Sequence, residues 1–323
     1  HNNLLETAGG TVTATGDGTS GNAAETITLN TDGTVAALAA VENYVLAADV
    51  NLTVGAQSQN VTESGNHAVS VTIDGATTAT YDGKVELDLT TGDSITLTGT
   101  VDVSSASFVD AADGVTAWTN DTGDTVVLTN ASVTMTSAQH NNLLETAGGT
   151  VTATGDGSSG GTAETITLDT NGTVVALASV ENYVLAADVN LTVGAAAQNV
   201  TESGDHAVSV TINGATTATY TGTVKLNTAG EDTITLSGTV DVSGASFVDQ
   251  ADATWTNDGD TVVLTNASVT MTSAQHNNLL EAGGTVTAIG DGSSNGTAET
   301  ITLDTDGTVV ALASVENYVL AAD

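Results

Sequence analysis

The chain has 323 residues, of which 39 are acidic and only 2 are basic, giving a formal net charge of −37 at pH 7. A field of this sign repels phosphate, so we expect no nucleic-acid partner and no binding to anionic membranes. Cysteine is absent, which excludes a disulfide or thiolate-metal framework, and no apolar run approaches the ~20 residues that a membrane-spanning helix needs.

One long segment of this sequence occurs nearly three times. His1-Asn-Asn-Leu-Leu-Glu6 returns at His140 and again, after a nearly equal interval, at His276. Self-similarity at a fixed period is typical of repeat architectures. We therefore divide the chain into a first copy at 1–139, which starts in mid-repeat, a second copy at 140–275 and a partial third copy at 276–323. We expect it to be a section of a longer repetitive polypeptide.

Short strands with period-two alternation dominate the first copy. In chain order they are predicted at residues 10–16, 25–29, 68–73, 94–98, 100–104, 124–128 and 132–136. One face of each is apolar and often β-branched, and the other carries mainly Thr, Ser or Asp, as in a half-buried strand. Gly-Asp, Asp-Gly and Asn-Gly steps separate the strands as turns. Recurring acidic residues at strand starts predict a sub-repeat of roughly 34 residues.

Two segments do not alternate in this way. Residues 137–145 follow the helix pattern for one or two turns, with Ser137 as the expected N-cap. Residues 34–46 carry apolar side chains at every third position, which fits either a short helix or the corner of a solenoid coil. We favour the corner.

The predicted fold class is all-β. Proline is absent from the whole chain, which favours a continuous hydrogen-bonded ladder, because each proline would remove a backbone donor. We predict a parallel β-solenoid built from tandem repeats of about 139 residues with sub-repeats of roughly 34 residues. The alternative is a tandem array of β-sandwich domains with the same long period.

A resemblance to a known class of proteins rests on the segment Val-Glu-Asn-Tyr-Val-Leu followed by Asn-Leu-Thr-Val-Gly. Set within acidic, Thr-rich, Cys-free tandem repeats, it resembles the giant secreted repeat proteins of bacteria, which include long adhesins and RTX-like β-solenoid proteins exported by type I secretion. The resemblance implies a secreted protein at the cell surface or in the extracellular space. The Gly-rich calcium nonapeptide of RTX proteins is absent from this sequence.

Acidic turns supply the candidate metal site. Gly16-Asp17-Gly18 and Asn30-Thr-Asp32 both recur in the later copies. Calcium prefers several oxygen ligands, which stacked turns of carboxylates and amides could provide. The candidate calcium ligands are Asp17, Asp32, Asp156, Asp169, Asn171, Asp291, Asp304 and Asp306. The alternative is that these dipeptides only form turns and bind nothing.

The sequence contains no recognisable catalytic constellation, and we predict that the protein is not an enzyme. A polysaccharide-active β-helix would need paired acids and usually a basic residue in a cleft, which regular repeats without arginine do not favour. The leading hypothesis is a structural extracellular repeat protein that forms a filament, sheath or stalk, with copies of itself as partners and calcium as its one expected cofactor. The alternative is a calcium-stiffened spacer of a large bacterial surface adhesin, which would present a ligand-binding region to a cell surface or matrix.

Overall fold

The computed structural model describes residues 24–89, 92–145, 148–154, 163–228, 231–257, 259–289 and 298–321. The chain forms two compact units, a first unit at His1–Ile166 and a second unit at Thr167–Asp323. The strand predicted at residues 10–16 lies outside the described residues. Neither helix of the described part has the length and apolar character of a membrane span.

The first unit consists of short strands and one helix. Its elements are β1 (Thr26–Leu29), β2 (Gly33–Ala36), β3 (Asn43–Leu46), β4 (Val50–Thr53), β5 (Asn60–Glu63), β6 (Ser70–Asp74), β7 (Lys84–Leu87), β8 (Ser94–Asp102), β9 (Ser107–Asp110), β10 (Thr125–Met135), α1 (Ser137–Leu143) and β11 (Thr150–Ala153). The next strand, β12 (Thr165–Leu168), contains the boundary between the two units.

The strands of the first unit alternate between two parallel sheets. The odd-numbered strands β1, β3, β5, β7 and β9 pair in succession in one sheet, and β2, β4, β6, β8 and β10 pair in succession in the other. Strand β11 also pairs with β10. Each turn of the chain thus contributes one strand to each sheet, and every coil bonds to the coils before and after it. This is the predicted parallel β-solenoid, and it is not a tandem array of β-sandwiches, whose sheets are antiparallel.

The second unit repeats this arrangement. Its elements are β13 (Gly172–Val175), β14 (Asn182–Leu185), β15 (Val189–Thr192), β16 (Asn199–Glu202), β17 (Ser209–Asn213), β18 (Thr223–Leu226), β19 (Thr233–Asp241), β20 (Ser246–Asp249), β21 (Thr261–Met271), α2 (Ser273–Leu280), β22 (Thr285–Ile289), β23 (Thr300–Leu303) and β24 (Asn317–Leu320). Strands β14, β16, β18 and β20 pair in succession, as do β13, β15, β17, β19, β21, β23 and β24. Strand β22 pairs with β21.

Coil length varies along the solenoid. Thr26 pairs with Asn43 and Asn43 pairs with Asn60, so these two coils are equally short. Ser94 pairs with Thr125, and the coil between them is almost twice as long. The coil is therefore shorter and less regular than the sub-repeat of roughly 34 residues that the acidic strand starts predicted. Those starts skip coils such as the one beginning at Asn60, which follows Gln59 instead of an acid.

The two segments without alternation behave largely as predicted. Residues 34–46 contain β2, a corner and β3, so the corner interpretation is confirmed. Residues 137–145 contain the helix α1, but its N-cap is Thr136 and not Ser137. The Thr136 side chain accepts from the backbone N–H of Gln139, whose side chain in turn accepts from the Thr136 N–H. This reciprocal pair satisfies two donors that the first helical turn leaves open.

Strands 94–98 and 100–104, predicted as separate, form the single long strand β8. Gly99 lies within it at a φ of 69°, and Asn130 of the neighbouring β10 has a φ of 46°. The register between these strands shifts between Thr129 and Ser132, next to Asn130. Glycine and asparagine tolerate this left-handed backbone better than other residues, so the chain bends here without ending the strand.

Buried polar side chains also form hydrogen bonds between the coils. In the first unit the buried Gln59 donates through Nε2 to the carbonyl oxygens of Leu38 (2.9 Å) and Val41 (2.5 Å). Its Oε1 accepts from the backbone N–H of Gly55 at 2.9 Å. The hydroxyl of the buried Tyr81 donates to the Gln59 carbonyl oxygen at 2.7 Å. We call this set of contacts the glutamine corner, and it links three successive coils.

The glutamine corner recurs in the second unit around Gln198 and Tyr220. A glycine is required beside it, because a Cβ at Gly222 would lie 2.0 Å from the carbonyl oxygen of Gln198. Only a residue without a side chain allows the two coils to approach this closely.

Candidate metal centre

The acidic residues at strand starts point inward and bond the coils together. Asp93, which precedes β8, accepts the backbone N–H of Val69 on Oδ1 at 3.0 Å. The N–H of Asp93 in turn donates to Oδ1 of Asp124, which precedes β10, at 2.9 Å. The second unit repeats this bond between Asp232 and Asp260 at 3.1 Å. These carboxylates are therefore buried acceptors for neighbouring coils and not surface charges.

Three acids meet where the two sheets of the first unit approach each other. Glu63 is the last residue of β5, Asp88 follows β7 and Asp93 precedes β8. One carboxylate oxygen from each lies within 4.8 Å of the other two, in the only such group of three or more His, Asp or Glu among the described residues. Glu63 and Asp93 are buried and Asp88 is half-buried. We call these three residues the acidic triad.

Backbone donors hold the acidic triad in place. Glu63 accepts the N–H of His67 on Oε1 and the N–H of Asp88 on Oε2, both at 2.8 Å. Asp93 Oδ1 is occupied by Val69. The second oxygen of this carboxylate, Oδ2, is buried and accepts no hydrogen bond from any residue that the structure describes. The triad is thus fixed by the fold and keeps one buried acceptor open.

The triad disfavours its own full ionisation. Burial raises the pKa of Asp93 to about 8, against the effect of the Val69 N–H, and the charges of Glu63, Asp124 and Asp88 add to the rise. Burial also raises the pKa of Glu63, and the charge of Asp88 contributes. At neutral pH the triad therefore either retains a proton or takes up a positive charge in its place.

Neither lysine of the chain supplies that charge. Lys84 forms an ion pair with Glu86, and Lys225 pairs with Asp252 at 2.6 Å. The chain has no arginine. No permanently cationic side chain is therefore available to neutralise the triad.

The second unit carries a modified version of the triad, in which Glu202, Asn227 and Asp232 take the places of Glu63, Asp88 and Asp93. Asn227 follows β18 as Asp88 follows β7. Its side-chain Nδ2 donates to Oε1 of Glu202 and, at 3.1 Å, to the carbonyl oxygen of Gly204. An amide donor thus occupies the position that a third carboxylate occupies in the first unit.

The second unit is expected to be more stable at pH 5 than at pH 8. Burial raises the pKa of Asp232 to about 7, against the effect of the Val208 N–H, and the charges of Glu202 and Asp260 contribute. Between about pH 4 and pH 7 the folded state therefore holds a proton that the unfolded chain releases, and this stabilisation is lost as the pH rises through 7. At about 1.4 kcal/mol for each tenfold change in proton affinity, the difference is about 2–3 kcal/mol.

Urea unfolding at the two pH values, followed by Trp255 fluorescence in a Trp118→Phe background, measures this difference. Asp232→Asn keeps the acceptor for Val208 and replaces the protonated oxygen by an N–H donor. We expect the variant to be equally stable at both pH values. An unchanged pH dependence in Asp232→Asn would show that another group is responsible.

The turn residues predicted as calcium ligands lie elsewhere. Asp17, Asp156 and Asp291 fall outside the described residues. Of the others, Asp169 is half-buried, and the exposed ones are Asp32, Asn171, Asp304 and Asp306. None of these five described residues belongs to the acidic triad.

Two of the turn residues join neighbouring coils. Asp32 Oδ1 accepts the backbone N–H of Asp49 at 3.2 Å. Asn171 accepts the N–H of Asp188 and donates to its carboxylate, both at 3.1 Å. These contacts give both residues a structural role in stacking the turns.

Sequence reasoning missed the triad, although one signal was present. The strand pattern places Glu63 in register with the apolar, inward-facing Val61, and the same exception recurs at Glu202. An acid at an inward position of a strand is a sign of a buried polar site.

Comparison with known protein families, with curated proteins and with solved structures finds no match for this chain.

Proposed function

We propose that this chain is a structural extracellular repeat protein, which forms a filament, sheath or stalk by stacking of coils and packing of chains. The observation that carries the proposal is the coil-on-coil architecture of each unit, built from near-identical sequence copies. In such an array each coil is stabilised by its neighbours, and repetition gives length and stiffness. An enzyme with a single site would gain nothing from these copies.

The internal contacts support a mechanical role for the chain. Backbone bonds run from coil to coil in both sheets, and the glutamine corner and the acidic strand starts add side-chain bonds in the same direction. The net charge of −37 would keep the extended molecule soluble and limit uncontrolled association. Copies of the same chain are the proposed partners, and the secreted location follows from the resemblance described above.

A second candidate function is a calcium-stiffened spacer of a surface adhesin. The acidic triad favours it, because one cation could join carboxylates of two neighbouring coils. In this case the chain would hold a distant ligand-binding region away from the cell, and its stiffness would depend on calcium.

Negative-stain electron microscopy of the purified chain separates the two candidates. Samples are compared in calcium chloride, in a calcium chelator, and in sodium chloride of matched ionic strength, which controls for charge screening. We expect uniform filaments wider than a single solenoid in all three. Thin single rods that collapse only in the chelator would support the spacer instead. Single rods under every condition would overturn self-assembly.

A further inference from the structure

We propose that Glu63, Asp88 and Asp93 form a specific binding site for one calcium ion in the first unit. The proposal does not depend on self-assembly. Calcium takes six to eight oxygen ligands, and carboxylates are its preferred side-chain ligands in proteins. The triad brings three carboxylates within 4.8 Å of one another, on backbone that the two sheets hold in register.

The open oxygen of Asp93 is the second observation that points to a ligand. The side chain is only 1% exposed, and Oδ2 has no donor among the described residues, although Oδ1 accepts from Val69. A buried carboxylate oxygen without a partner is costly in free energy, because it has lost its water and gained nothing. A bound cation would satisfy it.

The two sequence copies provide an internal comparison. In the second unit the position of Asp88 is taken by Asn227, whose N–H donors bond Glu202 and Gly204. That site therefore carries one carboxylate less, although Oδ2 of Asp232, like Oδ2 of Asp93, has no donor among the described residues. In the first unit the same position carries a further negative charge and no amide donor. Because the surrounding sequence is nearly the same, the exchange leaves the first site as the one that offers three carboxylates to a cation.

The chemistry of the triad selects the class of metal. All three ligands are hard oxygens, and no cysteine exists in the chain, which disfavours zinc and other soft-metal ions. Magnesium retains several of its waters and needs a strict octahedral geometry. A site in which two of three carboxylates are buried leaves little room for that hydration. Calcium, with its flexible coordination, fits best.

The full chain, stripped of metal by a chelator, is titrated with calcium chloride in a calorimeter, with magnesium chloride as comparison. We expect one saturable calcium site per chain. Asp88→Asn, which installs the residue of the second unit, should weaken calcium binding at least tenfold. Asn227→Asp should create a second site. Asp82→Asn removes an exposed acid of the same unit outside the triad and should leave calcium binding unchanged.

Tryptophan fluorescence gives an independent readout, because Trp118 donates to the carbonyl oxygen of Asp88 at 3.2 Å. In a Trp255→Phe background, calcium should raise the urea midpoint reported by Trp118 in the parent and in Asp82→Asn, but not in Asp88→Asn.

Two results would overturn the proposal. One is equal calcium affinity in the parent and in Asp88→Asn. The other is the absence of saturable calcium binding in the parent, a result that does not require any variant to fold. Filament formation does not enter the titration, so failure of this site leaves the proposed structural function untouched.

Discussion

Replacing Gln198 by leucine is expected to lower the free energy of unfolding of the second unit by about 3–6 kcal/mol, because one buried and two partly buried backbone groups lose their partner. The side chain is 1% exposed and donates to the carbonyl oxygens of Leu177 (2.8 Å) and Val180 (2.6 Å), while it accepts from Gly194 (2.9 Å). Leucine has a similar size but can neither donate nor accept. Each buried group left without a partner costs about 1–3 kcal/mol.

Urea unfolding followed by Trp255 fluorescence, in a Trp118→Phe background, measures the effect in the second unit. Gln250→Leu is the matched control, because Gln250 is exposed and its Nε2 donates to the carbonyl oxygens of Glu202 (3.5 Å) and Gly204 (3.0 Å) without entering the core. The control should change stability by less than about 1 kcal/mol. Equal losses in the two variants would mean that the glutamine corner does not hold the coils together.

Replacing Trp255 by alanine is expected to destabilise the second unit by about 3–5 kcal/mol, the usual range for removing a buried aromatic side chain. Trp255 is 1% exposed, and its Nε1 donates to the carbonyl oxygen of Asn227 at 3.2 Å. The variant therefore loses packing and leaves a buried carbonyl oxygen without its donor.

Circular dichroism in urea follows this variant, since its fluorescent reporter is gone. Val175→Ala serves as the control, because Val175 is 50% exposed and its truncation creates no buried cavity. We expect Val175→Ala to unfold close to the parent midpoint. A Trp255→Ala protein with the parent midpoint would show that the core around this ring is not packed as described.

These predictions share one physical basis, which also supports the proposed function. A single short coil, such as the one from Thr26 to Asn43, cannot bury a core by itself, so its stability comes from the coils on either side. Contacts such as the glutamine corner select the register of this stacking, since they form only when the coils are correctly aligned. A structure assembled in this way can be lengthened by adding copies, because each added coil forms the same contacts with its neighbour.

The two copies also show how little sequence change separates two kinds of polar site. Asp88 and Asn227 follow equivalent strands, and the backbone N–H of each donates to the glutamate of the preceding coil, Glu63 or Glu202. One atom exchange converts a carboxylate into an amide, which changes both the charge and the direction of the hydrogen bond. In the two copies of this chain, this one residue separates a site of three carboxylates from a site of two carboxylates and an amide.

The architecture follows from local features of the sequence. Period-two alternation, turn dipeptides and the absence of proline predicted a parallel β-solenoid, and the apolar three-residue step at residues 34–46 indicated a corner. These features are local, because alternation and turn chemistry depend on residues close together in the chain. The helix at residues 137–145 was predictable for the same reason, although its cap was displaced by one residue.

The coil lengths and the acidic triad depend on contacts between residues that are far apart in the sequence. Glu63 and Asp88 are distant in the sequence, and they meet because β5 and β7 pair with Val61 opposite Val85. Asp93 joins them because β8 belongs to the other sheet and starts beside the ends of those strands. Loops of varying length separate these strands, so the spacing of the triad residues in the sequence does not predict their contact. Register between distant strands is set by backbone hydrogen bonds and core packing, which a local pattern does not record.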